Sequence, residues 1–64
     1  MNKLVVIFGN NRWFYYKTEC ETAIYAYNAM LEMLKSIDID ICTMRPDKIV
    51  LKNKDGITID KEMF

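Results

Sequence analysis

TECETAIYAYNAMLEMLKS, residues 18–36, decides the fold. Cys20, Ala23, Ile24, Tyr27, Met30, Leu31 and Leu34 recur at three- and four-residue spacing, which gathers them on one face of an α-helix. Thr18-Glu19-Cys20-Glu21 matches a capping box, in which the Thr18 hydroxyl accepts from the Glu21 backbone N–H and Glu21 reaches back to Thr18. Glu19 and Glu21 also suit the positive end of the helix dipole. The pattern predicts one amphipathic helix from Thr18 to about Ser36.

Outward from the helix the pattern changes period. Leu4-Val5-Val6-Ile7-Phe8 is an unbroken β-favouring run, expected of a central strand covered on both faces. Gly9-Asn10-Asn11 is turn chemistry, and the aromatic run from Arg12 to Tyr16 completes a first hairpin. On the far side, Ile37, Ile39 and Ile41 alternate with Asp38 and Asp40, which predicts a half-exposed strand to about Met44. Arg45-Pro46-Asp47 is a turn, and Lys48–Lys52 and Ile57–Asp60 are strands around Asn53-Lys54-Asp55-Gly56. A three-residue loop, Lys54 to Gly56, sets Lys52 opposite Thr58 and Leu51 opposite Ile59, with Gly56 at positive φ. The expected architecture is α+β: a small antiparallel sheet in β-β-α-β-β-β order, with the helix packed on one face.

The chain has 64 residues, which sets a single domain, 1–64. So short a chain builds a marginal core, yet 52% of it is hydrophobic. Either the core is dense or apolar surface is kept for a partner. Nine basic and nine acidic residues leave no net charge, so the basic excess of a non-specific nucleic-acid binder is not visible globally. Two cysteines make no disulfide framework. Met1 to Phe8 is too short for a signal h-region, and the longest apolar stretch falls far below the roughly 20 residues of a membrane span. These features predict a cytoplasmic protein with reduced thiols and no membrane association. Phe, Tyr, Met, Ile, Asn and Lys, whose codons are AT-rich, supply 32 residues, against 8 from Gly, Ala, Arg and Pro. That bias suits a low-GC bacterium or a phage. No stretch matches a family motif.

Candidate chemistry is sparse. Without histidine there is no Ser-His or Cys-His pair, and the commonest general base and metal ligand are missing. Gly9 and Gly56 form no phosphate loop. Cys20 would gain reactivity in the first turn of a helix, but it falls on the apolar face between two glutamates, the setting of an inert thiol. Cys42 reads as core. Asp38 and Asp40 share one side of a strand, and Asp47, Asp55 and Asp60 sit near turns. Such carboxylates can hold Mg²⁺, but strand alternation accounts for Asp38 and Asp40 without it. No catalytic residue, metal or cofactor is expected, and the chain reads as a non-enzyme.

Two surfaces remain. On the helix, Thr22, Tyr25, Ala26, Ala29, Met33 and Ser36 form an uncharged arc away from the sheet-facing stripe centred near Tyr27, Leu31 and Leu34. Small residues there would admit a second helix, predicting a two-fold homodimer or another protein partner. The second surface is Asn10, Asn11, Arg12, Trp13 and Tyr15, rich in residues that serve as interface anchors. Alternation sends either Trp13 and Tyr15 or Phe14 and Tyr16 away from the helix. The leading expectation is a small protein-interaction module, a phage or mobile-element accessory protein acting as inhibitor or regulator. The alternative is a nucleic-acid-associated regulator using Arg12, the aromatics and Lys48, Lys52 and Lys54.

Overall fold

The computed structural model describes residues 1–64. Strands β1 (Asn2–Ile7) and β2 (Trp13–Thr18) lead into helix α1 (Ala23–Leu34). A short helix, α2 (Ile39–Thr43), and strands β3 (Lys48–Lys52) and β4 (Thr58–Met63) complete the chain. The strands form one antiparallel sheet in the order β2-β1-β3-β4, with α1 across one face. This is the expected α+β architecture, a single amphipathic helix on a small antiparallel sheet. No helix is long and apolar enough to cross a membrane.

The core lies between the helix and alternate strand residues. Leu4, Val6 and Phe8 from the β1 segment and Ile49 and Leu51 from β3 meet Ala23, Ala26, Tyr27 and Met30 of α1. Phe14, Tyr16, Leu31, Leu34, Ile41 and Met44 close around them. Phe64, beyond β4, sets its ring 5.7 Å from that of Tyr27.

The predicted strand at 37–44 is instead a loop followed by α2, so the order is β-β-α-α-β-β. Asp38 caps this helix by accepting from the Ile41 N–H at 3.3 Å, which offers the backbone an alternative to a sheet ladder. Alternation over five residues fits either structure. Ile41 of α2 and Met44, just past its end, reach the core, while Ile37 and Ile39 stay in solvent.

Helix α1 begins later than the capping box suggests. Thr18 ends β2 opposite Asn2, is buried, and accepts from the Cys20 N–H at 3.0 Å. Residues 19–22 carry the chain from the sheet edge onto its face, and Thr22 makes no side-chain cap. The cap comes from elsewhere: Asp60 of β4 accepts from the Ala23 N–H at 2.6 Å. A carboxylate there satisfies one of the orphan donors and opposes the dipole.

The same contact explains the second hairpin. Its turn is as expected. Gly56 has φ +80° and donates its N–H to the Asn53 carbonyl at 3.0 Å, and Lys52 lies opposite Thr58. The Asn53 side chain tightens the loop by accepting from Asp55 and Ile57. Beyond it, a register shift leaves Ile59 over as an extra residue, and Leu51 faces Asp60, not Ile59. A bulge of this kind re-aims the following side chains. Here it brings Asp60 to the helix side. Gly56→Ala meets open space for its Cβ, so the backbone alone decides its effect. Denaturant titration is expected to show a loss of about 1 kcal/mol from the positive φ, with Gly56→Asn losing less.

Candidate functional site

Strand alternation sends one set of side chains to the helix and the other to the opposite face, which nothing in the chain covers. Register turns that open face into a grid of three rows across β2, β1, β3 and β4. The first reads Lys17, Lys3, Lys52, Thr58, the second Tyr15, Val5, Val50, Lys61, and the third Trp13, Ile7, Lys48, Met63. Trp13 and Tyr15 are 57% and 49% exposed. Their ring centroids are 4.6 Å apart, and the Lys3 ammonium sits 4.4 Å above the Tyr15 ring. A trough of about 630 Å³ follows Val5, Ile7, Val50 and Ile59 between β1 and β4. A second cleft, of about 520 Å³, opens at the lysine end, lined by Lys3, Lys17, Lys52, Lys54 and Asn53.

The electrostatics are one-sided. The grid holds five of the nine basic residues and no acid. Residues 19–47, the helical layer and its loops, hold six acids and two bases. Asp60 and Glu62 pair with Leu51 and Ile49, whose side chains face the helix. The one salt bridge in the protein joins Lys35 to Glu32 on α1, so none of the grid lysines is ion-paired. Lys3 is directly opposite a lysine on each side, Lys17 and Lys52. Like charges in that position destabilise a sheet.

The structure distributes the sequence-level candidates unevenly. Of the aromatic cluster, Trp13 and Tyr15 face out, while Phe14 and Tyr16 pack on the core. Asn10 and Asn11 form the turn with φ of 66° and 62°, a conformation asparagine tolerates better than most residues. Arg12 is exposed beside that turn. Lys48 and Lys52 join the aromatics on one face, with Lys54 at its end. The helix arc does not survive as drawn. Ala26 is fully buried against the chain's own sheet and Ala29 is half-buried, while Thr22, Tyr25, Met33 and Ser36 are exposed. The stripe facing the sheet is therefore centred nearer Ala23, Ala26 and Met30. Thr22 and, in part, Ala29 remain as the small residues of the exposed arc.

Cys20 lies in the loop before α1, half-buried and free. Cys42 lies in α2, not a strand, with its thiol 3.6 Å from the Leu31 carbonyl. No three metal-ligating side chains cluster.

Lys3, Lys17, Lys61, Val5, Ile7 and Val50 were not singled out from sequence. The first hairpin carried a usable signal, because its turn sets Lys3 against Lys17. The pairing of β1 with β3 has no local signal. Comparisons with protein-family models, curated proteins and solved structures found no match.

Proposed function

We propose that this chain is a non-enzymatic binding module whose working surface is the open face of the sheet, and that it regulates or inhibits by occupying its partner. One observation carries this reading. The central strand β1 is apolar on both faces, as a strand covered twice would be, yet the chain itself covers one. Val5 and Ile7, with Val50 beside them, remain in an open trough flanked by Trp13, Tyr15 and unpaired lysines. Uncovered apolar surface rimmed by charge marks an interaction site, and aromatic anchors are the residues that dominate such sites. Of the charged residues lining the trough, Lys48, Lys52 and Lys61 outnumber Asp60, whose carboxylate is held by the Ala23 N–H, and this basic excess favours an anionic macromolecule. Two free cysteines suit work in a reducing compartment.

The test compares the two faces inside host cells. A photo-crosslinking benzophenone side chain is placed at Tyr15, on the sheet, or at Tyr25, which is 70% exposed on the helix. Irradiation is expected to yield a discrete macromolecular adduct from Tyr15 and none from Tyr25. Adducts from Tyr25 alone, or from neither position, overturn the reading. A self-adduct from Tyr25 would instead establish the homodimer through the helix.

A further inference from the structure

Resting on the open face as the working surface, we propose that its occupant is a single-stranded nucleic acid, with phosphates on the Lys17–Lys3–Lys52 row and bases on Tyr15 and Trp13. Three lysines directly opposed on neighbouring strands have Cβ atoms about 5 Å apart across the sheet. The fold keeps this arrangement with no carboxylate to relieve it. A polymer bearing one charge per unit supplies a contiguous run of anions to such a row. Lys54, at the edge of the same cleft, extends it. An acidic run of peptide can match the lysines but offers no planar rings to Trp13 and Tyr15, and a second copy of the chain would bring five more lysines against these five.

The aromatic rows make the second half of the site. Residues two apart on a strand are about 6.7 Å apart, so Tyr15 and then Trp13 lie one and two steps from Lys17 on the same face. The Lys3 ammonium over the Tyr15 ring shows that the basic and aromatic rows touch. Exposed rings on the open face offer stacking surfaces to unpaired bases. In a duplex the base faces are already stacked on one another. The geometry therefore favours a single strand over a double one. Zero net charge does not oppose this, because eight of the nine acids lie in the helical layer or on the helix-facing side of β4, and the ninth, Asp55, is in the turn beside Lys54.

The experiment titrates the intact chain against a labelled oligothymidylate of about ten nucleotides, a length within the usual range of such sites. A duplex of equal length and poly-glutamate serve as competing probes. Anisotropy reports the oligonucleotide, and Trp13, the single tryptophan, reports the face by its fluorescence. The oligothymidylate is expected to bind at low salt and to quench Trp13. Four phosphate contacts give a slope of log K against log salt of about −3. Lys17→Gln and Lys52→Gln should each shallow that slope by about 0.7. In the free protein the same two variants should raise the thermal midpoint, because each removes a like-charge pair with Lys3. Lysines kept only for structure would lower that midpoint. Trp13→Ala should weaken binding about tenfold at an unchanged slope. Duplex binding as tight as the single strand overturns the proposal. Quenching of Trp13 by poly-glutamate but not by the oligonucleotide also overturns it while leaving the open face as the working surface. Silence with both probes overturns it as well, and the crosslinks from Tyr15 and Tyr25 then decide the broader reading.

Discussion

Met30→Ala is expected to leave a large fraction of the chain unfolded at room temperature. Met30 is fully buried in the middle of α1 and is among the largest side chains with no exposure. Truncating a buried methionine to alanine costs about 2–5 kcal/mol, the transfer of the lost groups plus the cavity they leave. A core built from so short a chain rarely supplies more than about 3–5 kcal/mol in total. The two figures are of the same size, so the folded fraction collapses. Tyr25→Ala, on the same helix, removes a larger side chain but an exposed one, and should move stability by no more than about 0.5 kcal/mol. Urea titrations of both variants test the rotation of the helix about its axis. Comparable losses from the two would place the wrong face against the sheet.

Asp60→Ala is expected to cost about 0.5–2 kcal/mol, the usual range for removing a side chain that caps a helix. Its carboxylate meets the Ala23 N–H at 2.6 Å from a strand 37 residues away along the chain. The change thus loosens both the start of α1 and its attachment to β4. Asp60→Asn retains an acceptor and loses the charge facing the dipole, and should cost less. Glu21→Ala, at the position where the sequence places a capping-box glutamate, should cost almost nothing. That ranking can be read from chemical denaturation at one pH. A larger loss at Glu21 than at Asp60 would return the cap to the local motif.

The capping box failed because Thr18-x-x-Glu21 is a local pattern that a strand end can satisfy equally well. Asn2 holds Thr18 in β2, and the threonine hydroxyl finds its partner in the turn that follows. The register of the second hairpin failed for a related reason. Matching Leu51 to Ile59 is the better local choice, but it would aim Asp60 away from the N-terminus of α1. The bulge at Ile59 lets the strand serve the helix. At residues 37–44, five alternating residues were too few to separate a strand from a capped helical turn, and burial of Ile41 with Met44 settled it.

Interactions within a few residues were readable from the chain alone. A period of 3.6 exposed α1, turn chemistry at Gly9-Asn10-Asn11 and Asn53–Gly56 gave both hairpins, and the need for positive φ singled out Gly56. The continuous apolar run of β1 correctly marked a central strand. It also announced a second buried face, which the chain itself leaves open. What depended on segments distant in sequence was decided by the tertiary structure. Which of the helix's small residues would be buried turned on how α1 settled over β1, β3 and β4, since an apolar stripe is wide enough to accept several rotations. The site turned on the pairing of β1 with β3. No local rule brings Lys3 beside Lys52 or sets Trp13, Tyr15, Lys48 and Lys61 on one surface. Only closing the sheet sorts a chain of zero net charge into a basic face and an acidic one.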